Sequence, residues 1–207
     1  MKGVKGMNKK YVLTETKKEF FGVTLYQIKA VKSFGNVKEG DIGGWIKKEE
    51  NLSHSGNAWV SGDARVSGNA MVYGNTLVSG NARVSGDAWV SGDARVSGNA
   101  RVSGNATVYG DARVHGDALV YGDGMIKSCK DIFWASPVGS ENGTLTAYTT
   151  KTAEIEITRG CFKGTLAEFE AAVNDTHNNN RYAKEYLALI EFIKLRFQNV
   201  EAKRNER

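Results

Sequence analysis

A chain of 207 residues with a net charge of +5 is long enough for one elongated unit with closed ends or for two small domains. Two cysteines, Cys129 and Cys161, exclude a disulfide scaffold and suit a reducing compartment. No apolar run reaches the length of a membrane span, and the lysine-rich start lacks the apolar stretch of a secretory signal, so a soluble cytoplasmic protein is expected.

Residues 1–10 are basic and are expected to fray. Residues 11–14 read as a strand, residues 20–28 as a hairpin arm, and residues 34–37 and 40–46 as short strands punctuated by glycine. Residues 1–50 together are expected to form an N-terminal β cap. The glycine-rich stretch 38–45 lacks the lysine-serine ending of a phosphate loop and opens no helix, so capping is the better reading.

From Gly56 to Ile126 a six-residue unit, Gly-(Asp/Asn)-Ala-x-Val-(Ser/Tyr), repeats almost without error. A fixed short period marks a solenoid. In Ala-x-Val the alanine and valine face one side of an extended segment and x faces the other. Gly-Asp or Gly-Asn then turns the chain, because these residues accept left-handed backbone angles. Three segments make a triangular coil of eighteen residues, and the next coil stacks about 4.8 Å above it as parallel strands. Alanine is replaced only at Thr76 and Gly124. A solenoid needs closed ends, since an open one exposes apolar core and unpaired backbone.

The outward x positions form three columns: Arg65, Arg83, Arg101, Leu119; Trp59, Leu77, Arg95, Arg113; and Met71, Trp89, Thr107, Met125. The first is cationic and offers contacts to phosphates or a nucleic-acid backbone, but is read as a solvated face. The third is apolar and should be covered. Rows of Asp and Asn at the turns are explained by turn chemistry, without calcium.

After residue 127 the texture changes. Residues 131–135, 144–149 and 153–158 read as strands, with a loop at 137–143. Thr165-Leu166-Ala167-Glu168 is a capping box that starts a helix. Asn178-Asn179-Asn180 breaks it, and a second helix runs over about 181–197. Residues 51–127 are thus the repeat domain and residues 128–207 a small α+β domain with a helical hairpin, its charged end 201–207 expected to fray.

The repeat, read as Val60-Ser61-Gly62-Asp63-Ala64-Arg65 and onward, resembles the hexapeptide-repeat family of left-handed parallel β-helices. That resemblance implies a mainly β fold with a left-handed parallel β-helix of about four coils. It also implies a homotrimer that covers the apolar column. Members that are acyltransferases use a histidine base on a loop leaving the solenoid. Here the repeat runs from Gly56 to Gly122 without a loop insertion, and His54 and His115 sit at its start and on its edge. The cap, the repeat and the run Gly160-Cys161-Phe162-Lys163-Gly164-Thr165-Leu166, followed by Phe169 and His177, also resemble small proteins of phages and prophages. Their tails carry a Gly-Ser-Arg-Asn-like loop, matched here by Gly139-Ser140-Glu141-Asn142 with Glu141 in place of the arginine.

The phage resemblance implies a non-enzymatic binding protein that counters host defence by capturing a nucleotide signal or a host protein. Its place would be the cytoplasm of the host cell. An acyltransferase and a structural spacer are the alternatives. For an anionic ligand the candidate residues lie in the tail. Arg159 precedes a turn and a helix N-terminus at Leu166, where free N–H groups favour anions. Phe162, Tyr182 and Trp134 offer rings to stack on a base, His177 can join if the helices form a hairpin, and Ser140 and Asn142 come from the loop. Cys161 with His177 forms a nucleophile-base candidate, read instead as a buried small cysteine and a helix-end histidine. The cysteine and histidine spacing fits no zinc site, so neither metal nor cofactor is expected. Neither nucleic acid nor a membrane is an expected partner.

Overall fold

The structure, a computed structural model, describes residues 9–198; the expected fraying of 1–10 fails at Lys10, which is buried, and the rest of that stretch and residues 201–207 lie outside the described residues or at their edge. The fold is mainly β: a parallel solenoid followed by a four-stranded antiparallel sheet and two helices. The solenoid walls are built from two-residue rungs. The first wall stacks β5 (Arg65–Val66), β8 (Arg83–Val84), β11 (Arg101–Val102) and β14 (Leu119–Val120). The second stacks β4 (Trp59–Val60), β7 (Leu77–Val78), β10 (Arg95–Val96) and β13 (Arg113–Val114). The third stacks β6 (Met71–Val72), β9 (Trp89–Val90), β12 (Thr107–Val108) and β15 (Met125–Ile126).

Valine pairs with valine and outward residue with outward residue at successive rungs, so the expected columns form. The repeat valines from Val60 to Val120 and the repeat alanines are at most 1% exposed, which fills the prism as the alternation requires. Both exceptions to alanine have a cause. Thr76 is fully buried, and its hydroxyl donates to Tyr73 O at 2.8 Å, so the buried polar atom is satisfied. At Gly124 a Cβ would lie 2.6 Å from Val120 Cγ1 and 3.1 Å from the Tyr148 ring, which fills the end of the coil. At the corners, side-chain amides ladder from coil to coil, as in Asn57 to Asn75 and Asn75 to Asp93, each 3.0 Å.

The expectation of about four coils counted only perfect repeats, and the solenoid has about five turns. In β3 (Ile42–Ile46), Trp45 and Ile46 pair in parallel with Arg65 and Val66, and Leu52 bridges Val72. Neither segment carries the repeat motif. β1 (Tyr11–Phe20) and β2 (Val23–Ala30) form an antiparallel hairpin that continues the first wall's sheet through β3. Trp59, outward in the sequence pattern, is only 5% exposed, because Tyr11 and Phe34 meet it edge-on. Lys10 is buried beside it, its ammonium donating to Ala58 O at 2.7 Å and Gly56 O at 3.3 Å.

The tail sheet runs β16 (Ile132–Val138), β17 (Gly143–Thr149), β18 (Ile155–Arg159) and β19 (Phe162–Thr165) in that order. Its two faces differ because side chains alternate. One face lies on the last solenoid coil, with Ile132 and Tyr148 joining the solenoid core. Its hydroxyls satisfy backbone groups that no further coil can reach. Thr146 accepts from Leu119 N–H at 3.0 Å, Thr158 donates to Leu119 O at 2.9 Å, and Tyr148 accepts from Tyr121 N–H at 3.2 Å. The other face carries Leu145, Ala147, Ile155 and Ile157 into a second core, against α1 (Leu166–His177) and α2 (Arg181–Arg196). Thr165 and Glu168 form the capping box that starts α1, and Asn180 caps α2. Among the described residues no helix is long and apolar enough to cross a membrane.

Candidate functional site

The helix side of the tail sheet holds a shallow cleft of about 270 Å³, lined by Ser140, Glu141, Arg159, Phe162, His177 and Tyr186 among others. Arg159 ends β18 and Phe162 begins β19; they are cross-strand partners, so both side chains fall on the same face. Arg159 Nη2 donates to Val138 O at 2.9 Å, and its guanidinium lies 5.8 Å from the Tyr186 ring centre. Its Nε is buried without a partner, a costly state for a charged donor. His177 closes α1 and stacks obliquely on Tyr186, with centroids 5.6 Å apart at 32°. Phe162 packs on Phe169 at 5.1 Å, which packs edge-on to Tyr186 at 5.5 Å. The cleft therefore combines a guanidinium, an imidazole, a serine hydroxyl and aromatic walls, with the Glu141 carboxylate on its rim.

The structure thus brings Ser140, Arg159, Phe162 and His177 together. Tyr182 stands next to His177, with centroids 6.2 Å apart, outside the lining. Asn142 adopts a left-handed backbone (φ 46°) and donates its N–H to Gly139 O at 3.1 Å, so it shapes the loop without lining the cleft. Cys161 sits in the exposed turn between β18 and β19. It is exposed where a buried cysteine was expected, and it does not line the cleft with His177. Trp134 lies on the opposite face of the sheet. It meets His115 edge-on at 4.3 Å and packs against the solenoid core, so pleat alternation keeps it from the cleft.

The helix N-terminus is also elsewhere. Thr165, its cap, pairs with Glu156 at the far end of the β18–β19 hairpin from Arg159. Its Thr165 N–H already donates to Glu168 at 2.7 Å, a bond that holds the Glu168 carboxyl below the usual range. The cleft instead meets the C-terminal turn of α1, and the expected helix N–H contribution to anion binding falls away. Tyr186 and Glu141 were not picked out from the sequence. Tyr186 lies on the buried face of α2, and there its ring forms a wall of the cleft. A second hollow, of about 350 Å³, lies between β18, α1 and α2, but its Lys194 already pairs with Glu191 at 2.9 Å and Glu170 at 3.0 Å.

A family model of the YdcK β-solenoid repeat matches residues 64–80, 78–92, 88–103, 94–110 and 100–116. The repeat is similar to the YdcK β-solenoid repeat. The matched segments span residues 64–116, about a quarter of the chain, and include neither β1–β3 nor the tail. No curated protein matches the chain. The likeness is therefore one of the coil, and the tail cleft must be judged on its own geometry.

The histidines of the YdcK-like repeat and its start are engaged. His54 Nδ1 accepts from Lys10 N–H at 3.3 Å, its Nε2 meets Glu49 Oε1 at 2.8 Å, and its ring stacks on Tyr11 at 4.3 Å. Lys9 and His54 together hold the Glu49 carboxyl below its ordinary range. His115 abuts Trp134 at the junction with the tail. Among the described residues no cluster of three or more His, Cys, Asp or Glu side chains is arranged to hold a metal ion.

Proposed function

We propose that this protein is a non-enzymatic binding protein of the phage type. In this reading it is a left-handed β-helix that trimerises along its third face, and each tail captures an anionic small ligand with an aromatic part, such as a nucleotide signal. Capture removes the signal and counters host defence in the host cytoplasm. One observation carries the reading: Arg159, with its buried unpartnered Nε, and His177 converge on walls formed by Phe162 and Tyr186. A guanidinium fork suits a phosphate, and flat rings suit a base. Trimerisation is supported by the third column, where Met71, Trp89 and Met125 are 41%, 48% and 37% exposed. The β1–β2 hairpin serves as the N-terminal cap, and the tail sheet closes the other end.

A thermal-shift screen of linear and cyclic nucleotides and acetyl-CoA tests the proposal. A ligand bound only by the folded state adds about 2.7 kcal/mol of stability at a hundredfold excess over Kd, a shift of several degrees. A nucleotide that raises Tm supports capture. Binding of acetyl-CoA with acetyl transfer would replace it by the acyltransferase reading, and no shift with any nucleotide would refute it.

A further inference from the structure

The first wall carries a second feature, remote from the tail and independent of the reading above. Its outward column runs Trp45, Arg65, Arg83, Arg101, Leu119, so three guanidinium groups stack on successive rungs. Among the described residues no carboxylate forms an ion pair with any of the three. The tip of the β1–β2 hairpin leans over this ladder. The Phe20 ring covers Arg65 at 4.1 Å and Arg83 at 4.5 Å, and Lys18 lies over the Trp45 ring at 3.9 Å.

A cavity of about 180 Å³ remains under the tip, lined by Phe20, Phe21, Arg65, Ser67, Arg83 and Ser85 among others. Arg65 Nε and Nη1 are both buried there without a hydrogen-bond partner. A buried charged donor without a partner is costly, and here the cost comes with like-charge repulsion along the ladder. Burial, followed by the charges of Arg101 and Arg65, holds the Arg83 guanidinium below the ordinary arginine range. Phe21 is 89% exposed at the mouth.

We propose that this pocket is a phosphate-binding site, in which Arg65 and Arg83 clamp one phosphate group of a small ligand. A tetrahedral anion presents enough oxygens to accept from two guanidinium forks one rung apart, and the Ser67 and Ser85 hydroxyls add neutral donors. The Phe20 ring shields the ion pairs from water, and Phe21 offers a face to an organic group attached to the phosphate.

Isothermal titration of the full chain with pyrophosphate and with adenosine monophosphate tests the site. Wild type should bind each saturably at this site, and Arg65→Gln and Arg83→Gln should each weaken that binding at least tenfold. Arg83→Gln keeps the test valid if Arg65→Gln fails to fold. Arg95→Gln, an exposed arginine on another wall, should leave it unchanged. The proposal is overturned if wild type binds neither probe or if Arg95→Gln weakens binding as much, since that signals diffuse charge. It is also overturned if Arg159→Gln abolishes the binding, which would place the phosphate in the tail cleft. A loss confined to Arg159→Gln speaks for the tail reading, and a loss confined to the wall arginines speaks for this one.

Discussion

Replacing Gly92 by alanine, with Gly40→Ala as its partner experiment, measures how tightly the coils are stacked. Both glycines hold left-handed backbones, φ +69° at Gly92 and +91° at Gly40. That conformation costs an alanine about 1–2 kcal/mol. Part of the cost is offset by about 0.4–1 kcal/mol, because alanine narrows the unfolded ensemble. Gly40 has open space around the added methyl, so its net loss should be about 0–1.6 kcal/mol. At Gly92 the methyl would lie 2.9 Å from Gly110 N and 3.0 Å from Gly110 O. Both are backbone atoms of the next coil and cannot swing away as a side chain would. Relief requires separating the coils at the corner, where Asp93 N–H donates to Gly110 O at 2.8 Å. Overpacking adds about 1–3 kcal/mol, so Gly92→Ala should lose about 1–5 kcal/mol in all, and about 1–3 kcal/mol more than Gly40→Ala. Urea denaturation followed by circular dichroism reads both variants. Equal losses would mean that the corners are not stacked as described.

Val90 is fully buried, and Val90→Asp would place an unpartnered carboxylate in the prism at a cost of several kcal/mol; a melting curve like wild type's would reverse the inward assignment of valine. Burial, and then the charge of Lys32, lowers the Lys10 ammonium from 10.5 to about 8. The unfolded chain therefore holds more protons than the folded one between those values, and this group's contribution to stability rises with pH across that window. The difference in unfolding free energy between wild type and Lys10→Met should rise from pH 8 to 10.5, and a flat difference would show that the amine titrates normally. Trp89→Glu puts a charge on the apolar third face and should give particles of lower mass by light scattering; an unchanged mass, or a monomeric wild type, counts against the trimer.

The solenoid was legible because a period of six with strict alternation leaves one inward arrangement for Ala and Val. The capping box at Thr165 was legible for a similar reason, since its partners are three residues apart. What the sequence hid depends on contacts distant in the chain. Gly43 and Gly44 lie in a strand with no repeat motif, and the close approach of Ile28, Trp59, Val60 and Ala64 explains them. Phe20 reaches Arg65 and Arg83 because the hairpin bends over a wall that lies dozens of residues later. In the tail, Arg159, Phe162 and His177 converge as grouped, while Trp134 does not, because the register of β16 on β17 sets which face it takes. Local patterns placed β16, β17 and β18 approximately, missed β19 and left that register open.

The central claim is that the tail cleft captures an anionic ligand, and titration calorimetry tests it most directly. The nucleotide that raises Tm most would be titrated into wild type, Arg159→Gln, His177→Ala and, as a control on another solenoid wall, Arg95→Gln. Arg159 also donates to Val138 O, so the Tm of the free variant reads any loosening of that loop separately from ligand binding. The account predicts saturable binding by wild type and Arg95→Gln, and at least tenfold weaker binding by both tail variants at unchanged Tm of the free protein. Tail variants that bind as tightly as wild type would contradict it.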